Sequence, residues 1–153
     1  MDNDIKFMKR ALELASVAGE MGEIPVGAVV VCDGEIVGEG YNTRESAKNA
    51  LAHAEIAAID SACKKLGGWR LHKCELYVTL EPCPMCAGAI INSRIKRVVF
   101  GAHDTKAGAF GTVMNLNEFP LNHKTELCTG TCADECSAAL SNFFAELRKK
   151  KKA

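Results

Sequence analysis

The sequence predicts an α/β fold, a three-layer α/β/α sandwich around a mixed five-stranded sheet, and three observations lead there. Apolar residues recur at three- and four-residue steps near both ends of the 153-residue chain and again around residue 60. Five short runs rich in β-branched or alternating apolar residues lie between these segments, and Asp33-Gly34 joins the first two. The strand, helix, strand succession over residues 74–101 implies a parallel pair with a right-handed crossover.

From Asp4 to about Glu20, Ile5, Met8, Leu12 and Ala15 fall on one helical face, and Gly19 and Gly22 end the helix. Val26 to Cys32 and Glu35 to Asn42 form a hairpin, because both central residues of the favoured two-residue turn take positive φ and Asp-Gly tolerates it. The polar stretch Thr43 to Asn49 reads as a loop. His53 opens a second helix with Ile56, Ile59, Cys63 and Leu66 as its stripe and Gly67-Gly68 as its terminator. Leu76, Val78 and Leu80 alternate along a strand from Cys74. A third, short helix runs from Cys83 to about Asn92, with Pro84 in the first turn, where a missing N–H is no loss. Arg97 to Gly101 is a strand, and Gly101 to Gly111, with three glycines, is a surface loop suited to substrate contacts. A short strand near Thr125 to Cys128 precedes the last helix, which begins near Ala133 and carries Cys136, Leu140, Phe143 and Leu147 on one face. The chain is read as one domain, residues 1–153, with a basic tail at 148–152.

Hydrophobic residues make up 48% and charged residues 25%, values of a globular chain that argue against disorder and against a membrane protein. No run approaches a membrane span and Met1 to Arg10 has no apolar signal core, so the cytoplasm is the expected location. Eight cysteines in that setting are thiols or metal ligands rather than a disulfide framework. Nineteen bases balance nineteen acids, but five of the bases are Arg148 to Lys152, leaving 14 against 19 elsewhere, a balance of −5. Any attraction to phosphate must therefore be local.

Cys83 and Cys86, two residues apart in the run Glu81 to Cys86, follow His53 by about thirty residues, and Glu55 stands two places after the histidine. Zinc takes thiolate and imidazole ligands, and catalytic sites keep three protein ligands and leave a fourth position to water. His53, Cys83 and Cys86 supply three, for one Zn2+ per subunit. Both cysteines lie at a helix start, where free N–H groups and the dipole favour anionic sulfur. On a regular helix Glu55 points roughly 200° from His53, so it reaches the water only across the first turn. From there it can move a proton to a leaving nitrogen, as hydrolytic loss of an amino group requires. A fourth ligand, a thiolate from Cys63 or Cys74, would instead close the zinc into a structural site, and a redox Cys-x-x-Cys would leave His53 and Glu55 without a use. Cys128, Cys132 and Cys136 read as buried or half-buried thiols, with a second metal or redox site as the alternative. His72, His103 and His123 read as surface or hydrogen-bonded histidines, and His103, on the glycine-bearing loop, is the first candidate among them for substrate contact.

These residues carry a resemblance. The chain resembles the bacterial tRNA-specific adenosine deaminases of the cytidine-deaminase-like superfamily through Ile24-Pro25-Val26-Gly27-Ala28, His53-Ala54-Glu55, and Tyr77-Val78-Thr79-Leu80-Glu81-Pro82-Cys83-Pro84-Met85-Cys86-Ala87-Gly88-Ala89. The likeness continues through Val98-Val99-Phe100-Gly101-Ala102, Asp104 and Lys106 to Cys136 and Phe143-Phe144. It implies a cytidine-deaminase-like fold and zinc-dependent conversion of adenosine to inosine at the wobble position of a tRNA anticodon, with Glu55 catalytic. It further implies that Asn42 bonds the flipped base, that Asp104 and Lys106 contact the RNA loop, and that a homodimer binds the anticodon arm. Neither a membrane nor DNA is an expected partner. Leu51 stands where the family usually carries Thr, and Leu127 to Glu135 has cysteines unfamiliar in the family; both departures leave the catalytic core intact. The rival readings are a deaminase of a free base or nucleoside, of guanine or cytosine type, and a non-catalytic zinc-stabilised RNA-binding subunit.

Overall fold

Asp33 and Gly34 both adopt positive φ, 51° and 78°, and the tight turn they make folds β1 (Gly27–Cys32) against β2 (Glu35–Tyr41) as an antiparallel hairpin with a bulge at Val30/Val31. The structure, a computed structural model, describes residues 2–152. Around the hairpin the elements follow as α1 (Asp2–Glu20), α2 (Ala54–Leu66), β3 (Cys74–Leu80), α3 (Pro84–Asn92), β4 (Arg97–Ala102), a 3-10 turn (Leu116–Glu118), β5 (Glu126–Thr129) and α4 (Ala133–Lys152). The strands form one sheet in the order β2-β1-β3-β4-β5. β1 pairs antiparallel with β2 and β3, while β3, β4 and β5 run parallel. The sheet is mixed, and helices cover both faces.

Strand alternation sorts the core into two layers. Ala28, Val30, Leu76, Val78, Val98 and Phe100 point to α2 and α3, where Ala58, Ala62, Ile90 and Ile91 meet them. Val29, Val31, Tyr77 and Val99 point to the opposite face, covered by Phe7, Met8, Ala11 and Leu14 of α1 and by Cys136 of α4. The face of α2 is small, with Ala54, Ala58 and Ala62 all buried. It rests on Gly38 and Gly40 of β2, where a Cβ would overlap the carbonyls of Ala58 and Ala54. Two facing rows of small residues thus let the helix backbone sit on the strand, and this close approach sets where the N-terminus of α2 arrives.

The basic run Arg148–Lys152, expected as a tail, forms the last turns of α4. The reason is physical: Lys and Arg are good helix formers, and positive charge at a C-terminus offsets the helix dipole.

Candidate active site

Two helix starts converge beside the C-terminal end of β3. His53 is not inside α2 but caps it, with extended backbone (φ −88°, ψ 153°), and Cys83 caps α3 in the same way (φ −74°, ψ 172°) with Pro84 in the first turn. The helical count of 200° between His53 and Glu55 therefore does not apply, and both side chains line one pocket.

The imidazole Nδ1 of His53 lies 3.7 Å from Cys83 Sγ and 3.6 Å from Cys86 Sγ. Three donor atoms, one nitrogen and two sulfurs, fall within 4.8 Å of one another. Zinc bonds of ~2.3 Å to sulfur and ~2.05 Å to nitrogen at the tetrahedral angle require a sulfur–nitrogen separation of about 3.6 Å. The donors thus stand where zinc needs them. Cys63 and Cys74 do not join this group among the described residues. Cys74 instead faces Cys32 across the β1–β3 pair, at the far end of the strand. Neither cysteine therefore closes the group as a fourth ligand among the described residues, and three donors leave a position open.

The electrostatics fit a cation at that point. Cys83 is pushed down to about 4, first by the Cys86 thiol that donates to it and then, against burial, by His53. Cys86, the donor in that pair, is pushed up by giving its proton to Cys83 and by burial. A cation among the donors replaces this shared proton and stabilises both sulfurs as thiolates. Glu55 is buried, 4% exposed, and its carboxyl is raised to about 7, chiefly by loss of water and further by the Cys83 charge, against its own backbone N–H and the pull of His53.

The pocket has a volume of about 200 Å³ and is walled by Asn42, Arg44, Glu81 and Asp104 as well as by His53, Glu55 and Cys83. Asn42 follows β2; its Nδ2 donates to Ile24 O at 3.1 Å and its Oδ1 accepts from the Arg44 N–H at 3.1 Å. Asp104 Oδ1 accepts from the N–H groups of Lys106 and Ala107. Lys106 is exposed and is not among the wall residues. His103 also stays outside: it is exposed, edge-on to Phe100, and bonds Glu81 and Thr112. His123 bonds Ile95 O at 2.7 Å. Cys136 is buried against Gly101, and Cys128 and Cys132 are half-buried beside it.

Glu81 begins the run that carries the two cysteines, but the sequence alone assigns it no role. Its side chain is wholly buried and accepts from the backbone N–H groups of Asp104, Phe110 and Thr112 and from the Thr112 hydroxyl. Burial raises its carboxyl, but those donors prevail and hold it below its ordinary value. Gly108 has no side chain because a Cβ there would strike this carboxylate. Glu81 thus fastens the loop bearing Asp104 to the strand that delivers Cys83. A carboxylate directly after the apolar strand β3 and two places before Cys83 was the available signal. Glu23 does similar work on the other side, accepting from the N–H groups of Glu45 and Ser46 and pinning the loop that carries Arg44.

Residues 1–102 match the family described as the cytidine and deoxycytidylate deaminase zinc-binding region. Along 100% of this chain and 96% of its own length, the tRNA-specific adenosine deaminase of Bacillus subtilis (strain 168) is 54% identical. A solved structure from work on A-to-I editing by tRNA:A34 deaminases at the wobble position of transfer RNA superposes with a TM-score of 0.86 at 42% identity, covering 88% of this chain and 99% of that one. A guanine deaminase from Nitrosomonas europaea superposes with a TM-score of 0.78 at 28% identity, over 92% of this chain and 84% of that one. With three clustered donors that could hold a metal at the starts of two helices and this degree of likeness from end to end, the chain belongs to the zinc-binding deaminases, in the family of the tRNA-specific adenosine deaminases.

Proposed function

We propose that this chain deaminates adenosine to inosine at the wobble position of a tRNA anticodon by zinc-dependent hydrolysis. The observation that carries the reading is the buried Glu55 carboxyl beside three zinc donors, in a pocket that also holds Asn42 and Asp104, on a chain 54% identical to a tRNA-specific adenosine deaminase.

His53, Cys83 and Cys86 would hold the zinc ion, whose Lewis acidity would make water a nucleophile near neutral pH. Glu55 takes a proton from the attacking water and delivers it to the leaving amino nitrogen, so that adenosine and water become inosine and ammonia. A carboxyl raised to about 7 suits both halves of that transfer. Asn42 keeps one N–H and one carbonyl lone pair beyond its bonds to Ile24 and Arg44, a donor and acceptor for the edge of a flipped base. Asp104 at the wall and Lys106 at the exposed rim are assigned to the RNA around that base. Residues 1–153 act as one deaminase domain with one zinc per subunit, as a cytoplasmic homodimer, and DNA is not a partner. Exposed Val113, Phe119 and Leu121 provide apolar area of the kind a dimer covers. The basic segment 148–152 offers charge to phosphates. No helix among the described residues is long and apolar enough to cross a membrane.

Incubation of the zinc-loaded protein with total tRNA, followed by sequencing, is expected to reveal adenosine-to-inosine changes at a wobble position. An unchanged wobble position in every tRNA overturns the reading. A deaminase of a free base is the second reading, favoured by the likeness to a guanine deaminase. Faster turnover of free bases or nucleosides than of an anticodon stem-loop would establish it instead.

A further inference from the structure

We propose that Cys32 and Cys74 form a thiol–disulfide pair, a modification site apart from the zinc donors that a small disulfide closes by exchange, stapling β1 to β3. The two cysteines are direct partners in the antiparallel β1–β3 register. Both main-chain groups of Cys74 are engaged elsewhere: its N–H donates to Leu71 O at 2.9 Å, and its carbonyl accepts from the Lys96 N–H at 3.0 Å. Neither group turns toward Cys32, so the two residues face each other as a non-hydrogen-bonded pair. In such a pair the Cα atoms stand ~4.5 Å apart with the side chains close. That separation lies inside the range of about 4.4–6.8 Å that a disulfide spans.

Alternation puts both sulfurs on the same side of the sheet. Cys32 follows Ala28 and Val30, Cys74 precedes Leu76 and Val78, and all of them belong to the layer under α2. The Cys74 thiol donates to the Cys32 sulfur; burial first, and that hydrogen bond second, push it up to about 12. Cys74 is 1% exposed, whereas Cys32 is half-buried, directly before the Asp33–Gly34 turn. This difference assigns the roles. Cys32 is the sulfur that a small reagent meets, and Cys74 is the shielded thiol within reach of it. Cys63 of α2, half-buried against the same layer, is a third thiol close enough to act on Cys74, so the identity of the partner is open to test.

Closure follows thiol–disulfide exchange. The Cys32 thiolate attacks one sulfur of a disulfide RSSR, forming a mixed disulfide and expelling RS⁻. Cys74 then gives up its proton, attacks the Cys32 sulfur and expels the second RS⁻. Two protein thiols are oxidised to one disulfide while RSSR is reduced to two RSH. In a reducing compartment the pair rests as thiols, and it closes as the surroundings become oxidising. β3 has seven residues, so at ~3.3 Å each the staple lies roughly 20 Å from the end of the strand that leads to Cys83. The zinc donors are left untouched. What the cross-link restricts is the unfolded chain, because it joins positions far apart in sequence.

The test incubates the zinc-loaded protein with oxidised glutathione, blocks the remaining thiols by alkylation and cleaves after Lys, Arg and Glu. Lys73 and Glu75 flank Cys74 and cut it away from every other cysteine, so mass spectrometry identifies its partner directly. A Cys32–Cys74 link that dithiothreitol reverses is expected, with zinc content unchanged and the melting temperature raised by about 5 °C. Cys63→Ser should still form the link, and Cys32→Ser should form none and gain no stability from the oxidant. Cys32 left free, or held as a mixed disulfide with glutathione, overturns the pair, as does a link from Cys63 to either residue. A linked protein that melts no higher than its reduced form overturns the staple. Zinc lost in step with the link overturns the separation from the metal centre.

Discussion

Glu55 and Cys83 line the same pocket yet should fail differently when changed. Glu55 is not one of the three clustered donor residues, so Glu55→Gln should keep its zinc by metal analysis while inosine formation falls roughly 10²- to 10⁴-fold, the range for losing a positioned proton carrier. Near wild-type turnover in that variant would sink the proton-transfer role. Cys83 is both a donor and the cap of α3. Cys83→Ala should release zinc and lower the melting temperature, because metal affinity in such a site is also folding free energy. Wild-type zinc content in Cys83→Ala would show that the sulfur is not a ligand.

The element whose placement depends most on one side chain is the loop from His103 to Thr112. Its backbone N–H groups at Asp104, Phe110 and Thr112 have the Glu81 carboxylate as their partner. Glu81→Ala removes that acceptor and leaves buried donors unsatisfied, a loss of roughly 3 kcal/mol in stability. Asp104 then loses its fixed place at the pocket wall. A raised KM, faster amide hydrogen exchange over residues 104–112 and retained zinc are the expected results. Unchanged exchange in that loop would refute the fastening role.

For the whole molecule, the two layers are clamped at one edge by a charged network. Arg97 of β4 reaches Asp4 of α1 through both terminal nitrogens, at 3.0 Å and 2.6 Å, and Glu75 of β3 at 2.6 Å; the Tyr77 hydroxyl adds a bond to Asp4 at 2.8 Å. The Arg97 hydrogen bonds hold the Asp4 carboxyl below its ordinary value against the opposing effect of burial. A lowered folded pKa means that the stabilisation is fully present above the unfolded value of ~3.9 and is lost as pH falls through the lowered folded value. Asp4→Asn should therefore cost about 1–2 kcal/mol at neutral pH and flatten the acid side of the stability profile. Melting curves from pH 7 downward would check this, and an acid limb as steep as the wild type's would refute it.

What the sequence determined by itself follows from local rules. The helix starts at His53 and Cys83, the Asp-Gly hairpin, the parallel β3–β4 pair and the choice of His53, Cys83 and Cys86 as candidate donors all depend on spacing, turn chemistry and ligand preference within short segments. The substrate-side residues Asn42, Asp104 and Lys106 came only from family likeness, and of these Asn42 and Asp104 stand at the pocket wall while Lys106 is exposed outside it. Tertiary structure alone decided the rest. His53 lies outside the helix it caps, which removed the angular obstacle to Glu55. Glu81 gained its partners from residues 23 to 31 places away. Spacing along a chain governs what neighbours in one element can do, whereas contacts between turns of different strands exist only once strand order and direction are set.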